Sequence, residues 1–74
     1  MYIATMYSET MIFKAIGKTE AQAKSAILKT WNERQKHMAD IGYKEPYYFK
    51  STYELDQEYG IEIDKINIGE CIVY

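Results

Sequence analysis

His37 and Cys71 are the only imidazole and the only thiol in this 74-residue chain, and together they are its one candidate for nucleophilic catalysis. A thiolate attacking near neutral pH needs a base or a positive charge beside it. The pattern around each residue argues against that role. On the helix that carries it, His37 falls about 80° off the apolar stripe. Cys71 lies between Glu70 and Ile72 near the end of the chain, where a lone cysteine behaves as a small hydrophobe. No glycine-rich phosphate loop, no GxSxG elbow and no HExxH pair is present. Two soft ligands are too few for a tetrahedral zinc site, and the acidic residues lack the spacing of a calcium loop. The sequence therefore predicts a protein that is not an enzyme, with no catalytic residue, no metal and no cofactor.

The remaining chemistry is that of recognition. Glu54, Asp56, Glu58, Glu62 and Asp64 form an acidic run: residues 51–74 hold one Lys against six Asp and Glu, whereas residues 1–50 hold eight Lys and Arg against five. If residues 62 and 64 are extended, their carboxylates stand about 6.6 Å apart on one face. Such a run is either a solvated face or a surface directed at a basic partner. Tyr43, Lys44, Tyr47, Tyr48 and Lys50 interleave phenols with ammonium groups around Phe49. Tyrosine gives a large, rigid contact with a polar tip, which suits protein interfaces, and aromatics alternating with lysines suit stacking on nucleotides. The plainer reading is that alternate rings close the open end of a small core. Arg34 falls about 20° from Ile27 on the helical wheel, between Trp31 and Met38. There it either snorkels out over the core or binds an anion with Trp31 beside it.

These residues must be positioned by a small α+β fold. Tyr2 to Tyr7 and Met11 to Ile16 are β-rich and separated by Ser8-Glu9-Thr10, which predicts a hairpin. Met11, Phe13 and Ala15 share one face of the second strand, while Ile12 and Ile16 flank Lys14 on the other, so both faces are substantially apolar. Thr19 with Gln22 predicts a capped helix from Glu20 to about Ala39, stopped by Gly42. Its predicted core stripe is Ala23, Ile27, Trp31, Met38 and Ile41, with Glu20/Lys24, Lys29/Glu33 and Lys36/Asp40 as charge pairs on the flanks or far side of the helix. Pro46 keeps the connector after it extended. Ser51 with Glu54 opens a second, short helix ending at Gly60. Ile61 to Tyr74 reads as strand, and the change of parity between Ile63 and Ile66 predicts a bulge or turn near Asp64-Lys65. The expected order is β-β-α-short α-β-β in one domain over residues 1–74, a small antiparallel sheet with one long amphipathic helix packed on one face.

Composition narrows the setting. A formal charge of −2 argues against binding a nucleic-acid duplex, which needs a basic surplus. Apolar runs are only a few residues long, far short of the roughly 20 that span a membrane, and Glu9 and Lys14 interrupt the start where a leader would lie. One cysteine supplies no internal disulfide, so a reducing, cytoplasmic home is expected. Ten Ile against two Leu lean toward sheet. A domain this small without staples relies on packing or self-association, and a homodimer through the second sheet face is expected.

In layout and in its use of Ile, Lys, Tyr and Glu, the chain resembles small proteins encoded by phages and mobile elements of low-GC Gram-positive bacteria. That group includes anti-CRISPR and other anti-defence inhibitors. The resemblance rests on no motif and maps no family residue onto this sequence. It implies a non-enzymatic binding protein that occupies a host defence protein, here through the acidic run and the tyrosines. Two alternatives follow from the residues: an oligomeric sponge for an anionic signalling nucleotide, using Arg34, Trp31, Lys44, Lys50 and Tyr47-Tyr48, and a structural self-assembling subunit.

Overall fold

The fold is α+β and begins with the expected hairpin, β1 (Tyr2–Tyr7) and β2 (Ile12–Gly17), in a computed structural model that describes residues 1–43, 45–67 and 69. The loop is closed by the Ser8 hydroxyl, which donates to Met11 O at 3.0 Å and accepts from Met11 N at 3.1 Å. Helix α1 (Glu20–Asp40), the short helix α2 (Thr52–Tyr59) and strand β3 (Ile61–Lys65) follow. The three strands form an antiparallel sheet in the order β2-β1-β3.

Both helices start as the sequence predicts. Thr19 Oγ1 accepts from Gln22 N at 3.0 Å, and Ser51 Oγ accepts from Glu54 N at 3.3 Å. In each box the third-position side chain reaches back one residue beyond the cap: Gln22 Oε1 accepts from Lys18 N, and Glu54 Oε2 from Lys50 N. The end of α1 is a Schellman turn, with Tyr43 N donating to Met38 O and Gly42 N to Ala39 O around a left-handed Gly42, φ 73°. At the other end, α1 lies so close to the sheet that a Cβ on Gly17 would fall 2.5 Å from Ala23 N.

The face that α1 buries differs from the predicted stripe. Ala23, Ile27, Trp31 and Gln35 are buried, whereas Met38 is half-buried, Arg34 is exposed and Ile41 is 61% exposed. The buried set follows one i, i+4 ridge, which drifts about 40° per step around the helix. A helix of 21 residues is about 31 Å long and a six-residue strand about 20 Å, so the last turns of α1 overhang the sheet. That overhang removes Ile41 from the core and frees Arg34. Lys24 also departs from the expected pairing with Glu20 and meets Asp56 of α2 at 3.5 Å, while Lys29–Glu33 forms as expected at 4.0 Å.

The core is Ala4, Met6, Phe13, Ala23, Ile27, Trp31, Phe49 and Leu55, flanked by half-buried Ile61 and Ile63. Trp31 is its hub, with ring centroids 5.8 Å from Phe13, 5.6 Å from Phe49 and 5.1 Å from Tyr59. The predicted bulge near Asp64-Lys65 is absent. Ile66 continues the β1–β3 register through Ile66 N to Met1 O at 2.8 Å and the Met1 ammonium to Ile66 O at 3.0 Å. Ile66 therefore shares the face of Glu62 and Asp64, away from α1, and needs no parity change because that face also accepts apolar side chains. Positions 68 and 70–74, in the predicted closing strand Ile61 to Tyr74, and Lys44 lie outside the described residues.

Candidate functional site

The connector between the helices is laid against α1 by hydrogen bonds in the manner of a strand on a sheet edge. Asn32 Nδ2 donates to Phe49 O at 3.0 Å and Asn32 Oδ1 accepts from Phe49 N at 3.1 Å. Trp31 Nε1 donates to Tyr47 O at 2.9 Å, and Gln35 Oε1 accepts from Tyr47 N at 3.2 Å. Backbone groups at 47 and 49 are thus satisfied by side chains one turn apart on α1. Phe49 enters the core, and Tyr47 packs edge-on against it with centroids 5.0 Å apart.

This docking leaves an open groove of about 380 Å³ between the connector and α2, lined by Tyr47, Tyr48, Tyr53, Glu54, Gln57 and Glu58, with Phe49 beneath. Tyr53 with Gln57 and Glu54 with Glu58 are i, i+4 pairs on α2, so they face one way while Leu55 is buried on the other side. Tyr53 is 71%, Tyr47 62% and Tyr48 51% exposed. The groove has apolar walls, three phenol hydroxyls and two carboxylates, one of which, Glu54, also accepts from Lys50 N. Tyr43 is exposed just past the Gly42 turn and does not line the groove; Lys50 is exposed at its edge.

The acidic run is divided among three places. Glu54 and Glu58 line the groove. Asp56 is turned away from them, since alternate residues of a helix lie about 200° apart. It pairs with Lys24 and accepts from Ile61 N at 2.7 Å, which ties α2 to α1 and to β3. Glu62 and Asp64 stand on the face of the sheet opposite α1, across from Thr5 and Ile3 of β1.

Arg34 and Trp31 belong to a different place. A cavity of about 110 Å³ beside the hairpin loop is lined by Glu9, Phe13, Trp31, Arg34, Met38 and Tyr59, among others. Trp31 is only 7% exposed and its ring is enclosed by Phe13, Phe49 and Tyr59, so it offers no open face for stacking. The Tyr59 hydroxyl is held above its ordinary pKa of 10.0, first by burial and then by the negative charges of Glu9 and Glu58 and by Tyr47. The set Arg34, Trp31, Tyr47, Tyr48 and Lys50 is therefore not gathered into one platform.

Tyr53 and Gln57 are groove residues that the sequence reading did not single out as a site. Their signal was present in the 53/54/57/58 spacing, which puts all four on one side of a short helix. Asn32 and Gln35 carried no comparable signal. Among the described residues no group of three His, Cys, Asp or Glu is placed to hold a metal ion, and no described helix is long and apolar enough to cross a membrane. Compared with protein-family models, curated proteins and solved structures, the chain matches none of them.

Proposed function

We propose that this chain is a non-enzymatic binding protein and that the groove between the connector and α2 is its contact surface for another protein. The observation that carries the reading is the convergence of exposed Tyr47, Tyr48 and Tyr53 with Glu54 and Glu58 in one concavity. A lysine or arginine of a partner would lay its aliphatic stem on the phenol rings and its cation against the two carboxylates, combining cation–π and charge contacts. The partner is thus a protein with a basic, protruding segment. Opposite charge would speed the encounter and select among partners.

The resemblance in layout to phage-encoded inhibitors suggests a host defence protein as the partner and a reducing cytoplasm as the setting. Affinity capture from a host lysate tests the reading. Wild-type bait should retain one basic protein at about 50 mM salt and release most of it at about 500 mM, where charges are screened within roughly 4 Å. Bait carrying Tyr53→Ala and Glu58→Lys should capture little of it at either salt. Capture that is indifferent both to salt and to these substitutions would contradict the proposal.

A further inference from the structure

The cavity beside the hairpin loop carries opposite charges on two of its walls. One wall is α1, which contributes Arg34 and Gln35; another is the loop between β1 and β2, which contributes Glu9. The two charges do not neutralise each other, since the ion pairs among the described residues are Lys24–Asp56 and Lys29–Glu33. Arg34 and Glu9 are exposed, whereas Gln35 is only 6% exposed. Tyr47 N occupies Gln35 Oε1, which leaves Nε2 as the donor of a buried side chain in the cavity wall. Half-buried Tyr59 also lines the cavity, close enough to Glu9 for that carboxylate to act on its hydroxyl. Phe13 and Met38 supply apolar surface.

A ligand of a single charge meets its like in this cavity: a simple carboxylate faces Glu9, and a simple amine faces Arg34. A molecule that carries both charges on neighbouring atoms satisfies both walls. Size restricts the choice further. Benzene fills a cavity of about 150 Å³, so one of about 110 Å³ admits roughly four to six heavy atoms. A nucleotide is far too large, and so is an amino acid with a long side chain.

We infer that this cavity binds a free small α-amino acid, glycine or alanine, with its carboxylate on Arg34 and Gln35 Nε2 and its ammonium group on Glu9. Charge-assisted hydrogen bonds hold both ends, the Tyr59 hydroxyl accepts a further ammonium proton, and the methyl group of alanine rests on Phe13 and Met38. So small a ligand with its charges near solvent dissociates at about 0.1–1 mM. The cavity shares no lining residue with the groove between the connector and α2, so the two sites stand or fall separately.

Titration of the ¹⁵N-labelled protein, followed by NMR, with glycine, alanine, propionate, ethylamine and leucine tests this, each from about 0.1 to about 20 mM to bracket the expected constant. Glycine and alanine should saturate, shifting the Gln35 side-chain amide and the Glu9 backbone amide while those of Tyr53 and Gln57 stay in place. Propionate and ethylamine each lack one charge of alanine and should bind at least about tenfold more weakly, the scale of one lost charge-assisted hydrogen bond. Leucine, too long for the cavity, should be weakened as much. Arg34→Gln and Glu9→Gln should each weaken alanine at least about tenfold as well. Glu9→Gln should at the same time bind propionate more tightly than the wild type does, a gain that damage to the fold would not produce. If circular dichroism shows either variant unfolded, the ranking of the five ligands on the wild type carries the test. Failure of both glycine and alanine to saturate would overturn the inference. So would propionate or leucine binding as tightly as alanine, or alanine binding that both substitutions leave unchanged.

Discussion

Asn32 of α1 satisfies both backbone groups of Phe49, donating to its carbonyl at 3.0 Å and accepting from its amide at 3.1 Å. One side chain thereby does what a neighbouring strand would do for that residue, and it fixes which way the connector's rings point. Phe49 goes into the core and Tyr48 is left outward on the groove.

Asn32→Leu should therefore cost more than a surface substitution. It leaves an amide and a carbonyl without partners, and we expect a loss of about 1–3 kcal/mol in urea unfolding. Hydrogen exchange at the Phe49 amide should accelerate at the same time. Unchanged exchange at that amide would show that Asn32 does not hold the connector.

Gly17 is required by contact rather than by backbone angle, since its added Cβ would meet Ala23 N at 2.5 Å. Gly17→Ala should destabilise by about 1–3 kcal/mol, as overpacking of a closed contact does, with α1 displaced from β2. The urea midpoint reads this directly, and a neutral substitution would mean that α1 shifts away freely.

Tyr59 gives stability a pH dependence at the alkaline end. Its folded-state pKa lies above 10.0, the value it regains on unfolding, because of burial and of Glu9, Glu58 and Tyr47. The neutral phenol is thus favoured in the folded chain, its contribution is complete below pH 10.0, and it is lost as pH rises through the folded-state pKa. Thermal unfolding of the wild type should weaken more steeply above that point than that of Tyr59→Phe. Identical slopes would contradict this.

Asp56 should behave as a brace and not as a binding residue. Asp56→Asn removes the charge opposite Lys24, a partly exposed pair, and weakens the bond from Ile61 N. Stability should fall by about 0.5–1.5 kcal/mol while partner capture remains at the wild-type level. Loss of capture in a folded Asp56→Asn variant would place Asp56 in the contact surface.

The parts legible in the sequence are those fixed by neighbours in the chain. The Thr19/Gln22 and Ser51/Glu54 boxes and the stops at Gly42 and Gly60 depend on a few adjacent residues, and the structure has them where the spacing puts them. The choice between Arg34 and Gln35 as the inward residue was not legible, because it depends on the length of the sheet beneath α1 and on the connector that Gln35 bonds. The acidic run misled for a related reason. Residues alternating in sequence share a face in a strand but oppose each other in a helix, so Asp56 separates from Glu54 and Glu58 while Glu62 and Asp64 stay together. Ile66 shows the reverse case, in which a parity rule that assumes one apolar face fails on a sheet with two.

The most direct test of the binding account is a hydrogen-exchange footprint of the captured complex against the free protein at equal concentration. Amides of residues 47–58 should gain protection on binding, with β2 and the loop carrying Glu9 unchanged. Protection confined to the hairpin and the Arg34 cavity, with residues 47–58 exchanging as in the free chain, would contradict it.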